Sequence, residues 1–351
     1  MQALKKYLTA IITVCFCVGL ALGGCKNQQQ DSDLTVYMPD GAPALALAKL
    51  LKEDTETDGV TYQVVKSDMI SAQVTNKDTS KNADLCVLPV TAASKLVGTG
   101  TEYTMLGTVT HGNLFLIAPE QKDVAIEGVE PSALTTYTAE NLQLLVGKTV
   151  GVLKINEVPG LTFKTLLNKQ NLAWQELTEG KEKAEDKVNL VAITGADAIG
   201  VTKADVYLLA EPAASAQSKK GYCIVGDIQA LYGGEKGYPQ AVLVAKNTVV
   251  EERAEWLQAF VEEVALSAEW LKTATGAELV ECVTAHLADK DATSDLKAPL
   301  LTAEVLGRCG VRFAYATDCK TDVVEFLEQM RKVNEKAAAI PAEAFFWTYT
   351  K

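Results

Sequence analysis

The chain has 351 residues, and its 45 acidic against 33 basic side chains give a formal net charge of −12. No cluster of Lys and Arg interrupts this acidic composition, which disfavours binding to nucleic acid or to anionic membrane surfaces, so nucleic acid is set aside. The length is sufficient for two lobes that each have a hydrophobic core.

The first 33 residues predict export and a lipid anchor. Two lysines precede an apolar run at 7–22 that is too short for a stable transmembrane helix, and the sequence LGGC follows at 22–25. This order is typical of a secretory signal peptide, and Leu-x-Gly-Cys resembles the bacterial lipobox. The resemblance implies a signal peptide at 1–24, a diacylglycerol on Cys25 and a polar tether at 25–33. The alternative is an ordinary signal peptide in which Cys25 has no role.

Strand-like and helix-like segments alternate from residue 34 onward, in two sets at about 34–118 and 145–228. The first set consists of the strands LTVYM, VTYQVV, ADLCVLP and NLFLIAP and the helices PALALAKLLKE and VTAASKLVG. The second consists of the strands KTVGVLKI, KVNLVAI, ADVYLLA and YCIVGDI, with the helix GLTFKTLLNKQNL after the first of them. This alternation predicts βαβ units, an α/β fold and mostly parallel sheets. The polar segment 119–141 between the two sets is predicted to cross between lobes.

The pattern changes after residue 238. The sequence QAVLVAK at 240–246 predicts one more strand, and the remainder of the chain is mostly helical. At 252–274 apolar residues recur with helical spacing, which predicts an amphipathic helix. Trp256 and Trp270 flank this apolar stripe and are predicted to be core or packing residues rather than platforms for a ligand.

Five cysteines follow Cys25 in the sequence. Cys86 and Cys223 lie within apolar predicted strands and are predicted to be buried. One disulfide among the three C-terminal cysteines is compatible with an exported protein; these are Cys282, Cys309 and Cys319. No C-x-x-C is present and the only two histidines are far apart in sequence, so no metal site is predicted.

Four turns, two in each set, lead from a predicted strand through Pro, Gly or small residues into a helix, at 38–44, 86–94, 154–162 and 207–215. In parallel sheets such turns lie at the carboxyl ends of the strands, where ligands bind, and each helix start presents unpaired N–H groups. The alternative is that they are ordinary connections between strands and helices. Two matched pairs favour a ligand cleft lined from both sides. The candidate ligand-binding residues are Asp40, Gly41, Ala42, Pro43, Pro89, Val90, Thr91, Pro159, Gly160, Thr162, Glu211 and Pro212, with His111 and Asn113 from the sequence THGN.

Catalytic interpretations have little support in the residue types. The phosphate-loop pattern G-x-x-x-x-G-K-[ST] and the nucleophile pattern G-x-S-x-G are both absent from the sequence. Asp40 and Glu211 are a weak candidate for an acid–base pair across the cleft, because paired carboxylates are common. His111 is a candidate for a ligand contact, or alternatively for a structural histidine at the start of a strand whose hydrogen bonds are made within the protein. No catalytic residue is therefore assigned.

A family resemblance emerges from the order of these segments. The lipobox, YMPDGAPALALAKLL, ADLCVLPVTAASKL, GKTVGVL, KADVYLLAEPAAS and AVLVAKNTVVEERAEWLQAFVEE together resemble a solute-binding lipoprotein of an ABC importer. The similarity covers about 34–275 and is to the group that includes the nitrate/sulfonate/taurine and thiamine-pyrimidine (NMT1-like) binding proteins.

The resemblance implies a type II periplasmic-binding fold with two lobes, one formed by 34–118 and 239–351 and the other by 119–238. NLFLIAP and QAVLVAK would be the two crossing strands. It further implies a monomer on the extracytoplasmic face of the membrane that closes on a small solute and docks on a membrane permease, without a cofactor.

Two other classes of function stay open. The chain is also compatible with a ligand-sensing or adhesive lipoprotein without transport, and with an enzyme on the same fold, as in pyrimidine-synthase-like or menaquinone-precursor relatives. The solute is not identified by the sequence. A sulfonate or nitrate would use the helix N-termini, whereas Asp40 and Glu211 favour a neutral or amino-bearing heterocycle such as a pyrimidine-like vitamin precursor.

Overall fold

Two six-stranded β-sheets organise the part of the chain that the structure describes. The computed structural model describes residues 34–54, 59–96, 103–119 and 136–349, and residues 34–351 group as one compact unit. The predicted signal peptide, the lipidation site at Cys25 and the tether lie outside the described residues. None of the helices in the described ranges is both long and apolar enough to cross a membrane.

The first sheet combines strands from both ends of the described chain. In spatial order it contains β12 (Val311–Tyr315), β4 (Tyr103–Thr110), β11 (Ala241–Lys246), β3 (Leu85–Pro89), β1 (Leu34–Pro39) and β2 (Val60–Val65). Strand β1 runs parallel to β2 and β3, whereas β11 is antiparallel to β3 and β4, and β12 is antiparallel to β4. We call this sheet and the helices packed on it the first lobe.

The second sheet is built from the middle of the chain, and with its helices it forms the second lobe. Its spatial order is β10 (Tyr222–Asp227), β5 (Leu114–Pro119), β9 (Val206–Ala210), β6 (Thr149–Leu153), β8 (Val188–Ile193) and β7 (Trp174–Glu176). Strands β7, β8, β6 and β9 are parallel neighbours, and β5 is antiparallel to β9 and β10. The predicted two-lobe α/β architecture is confirmed. The sheets are mixed rather than mostly parallel, because strands next to the crossings enter a sheet from the other lobe without a βαβ connection.

Eleven α-helices lie in the described residues. They are α1 (Ala42–Leu45), α2 (Ala48–Glu53), α3 (Val90–Lys95), α4 (Val158–Lys169), α5 (Ala213–Ala216), α6 (Ile228–Gly233), α7 (Asn247–Glu252), α8 (Ala254–Trp270), α9 (Gly276–Ala285), α10 (Ala303–Arg308) and α11 (Ala316–Val333). Helix α8 confirms the amphipathic helix predicted at 252–274. Its Leu257, Phe260, Val261 and Val264 are buried, and Trp256 is partly buried and stacks on Phe260 with ring centroids 5.0 Å apart.

The chain passes from the first sheet to the second between β4 and β5, at 111–113, and returns between β10 and β11. The predicted boundary at 118 was wrong, because β5 already belongs to the second sheet. The segment 119–141, which was predicted to cross between lobes, lies mostly outside the described residues. β5 pairs with β9 and β10, and Tyr137, near the end of that segment, bridges to Gly226 of the same sheet. An apolar strand such as β5 is buried in either lobe, so its composition did not reveal which sheet it joins.

Apolar packing continues from one lobe into the other. One cluster of buried side chains contains residues of both sheets, including Leu88 and Val244 of the first and Leu116 and Leu208 of the second. Two further clusters cover the opposite face of the first sheet and of the second sheet. The C-terminal helix α11 contributes to the shared cluster and contacts α4. The C-terminal region is thus part of the body that joins the lobes.

The cysteines correct one prediction. Cys86 is buried, as predicted, but Cys223 is exposed, because β10 is an edge strand of the second sheet. The three C-terminal cysteines are buried and free, so the structure contains none of the disulfides considered among them. The thiols of Cys282 and Cys319 contact backbone carbonyls instead, those of Ala48 and Ala314.

Candidate functional site

Strand register brings the four predicted turns together in pairs. β1 and β3 are parallel neighbours with Val36 opposite Leu85, so the turn after β1 lies beside the turn after β3. In the second sheet β6 and β9 are parallel neighbours with Val150 opposite Val206, which places the turns at 154–160 and 211–214 side by side. Each lobe therefore presents two strand-to-helix turns at one sheet edge, as expected for a ligand site of this fold class.

Asp40, at the end of β1, is hydrogen-bonded within its own lobe. Its Oδ1 accepts from the N–H of Gly41 at 2.7 Å and from Ser294 Oγ at 2.9 Å, and its Oδ2 accepts from the N–H of Asp295 at 2.6 Å. Gly41 has φ 94°, a conformation that favours glycine, and a Cβ added there would meet nothing within 4 Å. The Asp40 carboxylate thus fixes the turn and the segment 294–295, and its oxygens are occupied by protein donors.

The turn after β6 is held by a buried lysine. Lys164, in α4, donates to the carbonyl of Ile155 at 2.9 Å and pairs with Glu176 at 2.6 Å. Gly160 is required for close packing here, because a Cβ at this position would lie 2.2 Å from the Ile155 oxygen. Thr162 is fully buried and its hydroxyl donates to the carbonyl of Val158 at 2.7 Å. These contacts give Gly160 and Thr162 structural roles in shaping the turn.

Glu211, after β9, has a side chain with 0% exposure. Its Oε1 accepts from Arg308 Nε at 2.7 Å and from Ser215 Oγ at 2.5 Å, and its Oε2 accepts from the N–H of Ser215 at 2.9 Å. Arg308 belongs to α10, whose Val305 and Leu306 pack in the first-lobe core. The carboxylate therefore receives its counter-charge from the other lobe.

A chain of hydrogen bonds links the turns through both crossings. The N–H of Val90 donates to the carbonyl of Gln240 at 3.0 Å, and Gln240 Nε2 donates to Asn113 Oδ1 at 2.8 Å. Asn113 is buried, and its Nδ2 donates to the carbonyl of Glu211 at 3.1 Å. Three of the predicted site residues, Val90, Asn113 and Glu211, are joined in this way at the junction of the lobes.

A second contact between the lobes lies at the turns themselves. Lys154, at the end of β6, donates from Nζ to Ser67 Oγ at 3.1 Å, and Ser67 follows β2 of the first sheet. Lys154 also lies 3.4 Å from Glu157. The carboxyl ends of strands from the two sheets therefore face each other closely enough for side chains to meet.

His111 lies apart from the four turns. Its Nε2 is 2.8 Å from Thr108 Oγ1, and its Nδ1 is buried without a hydrogen-bond partner. Burial, together with the positive charge of Arg312, lowers the pKa of His111 to about 3, so the ring is neutral at physiological pH.

Two cavities of about 700 Å³ and about 560 Å³ flank the second crossing and share His111, Lys236, Gly237 and Arg312 in their walls. Of the predicted site residues, His111 alone lines them. The smaller cavity also has Arg308, the partner of Glu211, in its wall, so it adjoins the turn after β9.

The predicted set divides by exposure. Partly exposed positions are Asp40, Gly41, Pro43, Pro89, His111, Pro159 and Pro212, and buried ones are Ala42, Val90, Thr91, Asn113, Gly160, Thr162 and Glu211. Lys154 lies within the turn at 154–162 but was not among the predicted site residues. The side chains that meet the turns from elsewhere in the chain were not predicted either, and these are Ser67, Ser294 and Arg308. None of them belongs to a recognisable motif. Only the fold brings Arg308 to a turn 97 residues earlier.

No group of three or more His, Cys, Asp or Glu side chains in the described ranges is arranged to hold a metal ion.

Comparisons with solved structures identify the fold. The chain is similar to an ABC transporter protein from Parabacteroides distasonis, with a TM-score of 0.65 and 20% identity over 91% of this chain and 100% of the other. It is also similar to the periplasmic aliphatic sulphonate binding protein SsuA from Escherichia coli, with a TM-score of 0.60 and 15% identity over 91% and 93% of the two chains. The ligand-binding component of an ABC-type import system from Staphylococcus aureus gives 0.54 and 12% over 89% and 95%.

The chain has the type II periplasmic-binding fold. Its two lobes, with strand-to-helix turns facing each other, correspond to the architecture expected from the sequence. No protein-family model matches the chain, and no curated protein matches it either.

Proposed function

We propose that this protein is an extracytoplasmic solute-binding lipoprotein of an ABC importer, which captures a small polar solute between its lobes and delivers it to a membrane permease. The observation that carries this proposal is the placement of two strand-to-helix turns from each lobe at facing sheet edges, with Lys154 of one lobe in contact with Ser67 of the other. A solute bound at this place contacts both lobes, so its binding energy can favour one arrangement of the lobes over another.

The fold comparisons support the same class of function. The similar structures from Escherichia coli and Staphylococcus aureus are, by their descriptions, binding components of this kind, one for aliphatic sulphonates and one found with zinc. At sequence identities of 12–20%, these similarities indicate the fold but do not identify the solute. The lipid anchor in the proposal rests on LGGC at 22–25.

The hydrogen bonds of the two acidic residues at the turns change the expected chemistry of the solute. The preference for a neutral or amino-bearing heterocycle depended on Asp40 and Glu211 having carboxylates available to the ligand. Both carboxylates accept three hydrogen bonds from protein donors, and Glu211 is also paired with Arg308. The proposal therefore specifies a small polar solute without a requirement for an amino group, and treats the two acids as residues that position the turns.

A thermal-shift screen of small polar metabolites, including sulfonates, nitrate and pyrimidines, tests the proposal. A solute present at 100 times its dissociation constant stabilises the folded protein by about 2.7 kcal/mol, which raises Tm on the order of 5 °C for a chain of this size. Titration calorimetry on the compound that gives this shift should show one site per chain.

A matched variant locates the site. Arg312 lines both cavities beside the second crossing, so Arg312→Gln should bind the solute as the wild type does if the solute sits at the four turns. Loss of binding in this variant would move the site to the cavities. Failure of every compound class to shift Tm would remove the support for solute binding.

A further inference from the structure

The contact between Glu211 and Arg308 is a buried ion pair between lobes. Glu211 follows β9 of the second sheet and its side chain is 0% exposed, whereas Arg308 ends α10 of the first lobe and its side chain is 25% exposed. Among the described residues, salt bridges to Glu211 come from Arg308. A carboxylate with no access to water depends strongly on such a partner, because burying an unpaired charge is costly.

Ser215 makes the contact a three-member cluster. Arg308 Nη2 donates to Ser215 Oγ at 2.7 Å, and that hydroxyl donates to Glu211 Oε1 at 2.5 Å. The guanidinium also lies over the ring of Phe115, 5.9 Å from its centroid. Arg308 thus uses two of its nitrogens on the second lobe at once, one in a charge-assisted hydrogen bond to a carboxylate and one in a hydrogen bond to a hydroxyl.

The same arginine is tied to its own helix. Its Nη1 pairs with Glu304 of α10 at 2.5 Å, and Glu304 is 78% exposed. This pair joins residues four positions apart on one helix, so it pre-orients the guanidinium but does not connect the lobes. Arg308 therefore pairs with one carboxylate of each lobe, Glu211 of the second and Glu304 of the first. Substitutions at these two residues can be compared to separate the effect of the contact between lobes from that of the contact within the helix.

We propose that Glu211, Ser215 and Arg308 form a latch that favours contact between the two lobes even without a solute, so that solute binding adds to an existing preference for that arrangement. Separating the lobes would break both bonds from Arg308 to the second lobe, and Glu211 would have to become hydrated or remain unpaired. The latch would control the proposed solute-binding function, so this inference rests on that function.

Small-angle scattering of the purified protein without solute tests the latch. The wild type should give a profile that matches the arrangement described here, whereas Arg308→Met should show a larger radius of gyration. We expect the ratio of separated to contacting lobes to rise about tenfold or more in the variant. Glu304→Gln keeps Arg308 and its bonds to the second lobe, so its profile should match the wild type.

Arg308→Met leaves Glu211 buried and unpaired, so a second variant guards against a simple loss of folding. Glu211→Gln combined with Arg308→Met removes both charges and should fold, yet it should also be more expanded than the wild type. Equal radii of gyration in the wild type and in the double variant would overturn the latch, as would a wild type that is already expanded. Since no solute enters this experiment, a failed solute screen and a failed latch are separate results.

Discussion

Gln240 Nε2 donates a hydrogen bond of 2.8 Å to Asn113 Oδ1, and this bond joins the two segments of chain that pass between the sheets. Both residues also bond to the lobes on either side. The carbonyl of Gln240 accepts from Val90 of the first lobe, and Asn113 Nδ2 donates to the carbonyl of Glu211 of the second. The crossings are therefore one hydrogen-bonded unit.

Replacing Asn113 by Ala tests this unit. The variant loses two side-chain hydrogen bonds and leaves Gln240 Nε2 without its acceptor in a partly buried site. We expect the free energy of unfolding to fall by about 2 kcal/mol, as measured by urea denaturation. Asn168→Ala is the control, because Asn168 is exposed and its amide oxygen accepts one surface hydrogen bond, from Trp174. An equal loss in both variants would mean that the junction adds nothing specific.

Asp40 is expected to act on stability more than on binding. Asp40→Ala removes the acceptor for Gly41, Ser294 and the backbone of Asp295, which should lower the free energy of unfolding by about 2 kcal/mol. Asp295→Asn keeps the backbone donor and an exposed side chain, so its Tm should stay near the wild-type value. The rise in Tm caused by a bound solute should persist in Asp40→Ala. Its disappearance there would return Asp40 to the ligand contacts.

The sequence identified most of the strand–turn–helix units because their apolar runs and Pro/Gly turns are local features. It missed β4, which lies next to the crossing and is buried throughout, since YTMLGTVT mixes Thr and Gly with apolar residues and shows no alternation. It also assigned β5 to the first set as a crossing strand, whereas this strand belongs to the second sheet and directly follows the crossing. The turns of the candidate site were recognisable because each is a short stretch of sequence. Their partners were not, since Ser294 lies 254 residues from Asp40 and Arg308 lies 97 residues from Glu211. Only the three-dimensional fold determines such pairings.

Packing against helices that lie far away in the sequence also changes the interpretation of Ala42. From the sequence, a small residue in this turn indicates room for a solute. The structure shows Ala42 2% exposed and packed in the first-lobe core with α8 and α9, so a larger side chain there would disturb packing whether or not a solute binds. Ala42 is therefore a poor probe of the cleft.

His111 should make stability depend on pH. Its pKa is lowered to about 3 in the folded protein by burial and by Arg312, whereas an unfolded histidine titrates near 6.5. Between these values the unfolded chain binds a proton that the folded one does not, so stability falls as the pH falls from about 6.5, by up to ~1.4 kcal/mol per pH unit. In His111→Gln the loss of Tm between pH 6.5 and pH 4 should be smaller. Parallel curves for the two proteins would contradict this assignment.

Lipidation is tested at Cys25, which lies outside the described residues. If LGGC at 22–25 is a lipobox, the wild-type protein should enter the detergent phase on phase separation, and its mature N-terminus should carry the mass of a diacylglycerol-modified cysteine. Cys25→Ser should lack that mass and should be released from membranes. A Ser variant with an unchanged N-terminal mass and unchanged membrane association would exclude the lipobox.

Hydrogen–deuterium exchange with the compound found in the screen tests whether a solute binds between the turns of both lobes. We expect slower exchange in the turns of the first lobe, 40–45 and 89–92, and at the same time in those of the second lobe, 156–161 and 213–215. Slower exchange that is confined to one lobe, or to the cavity-lining segments 232–238 and 318–329, would contradict it.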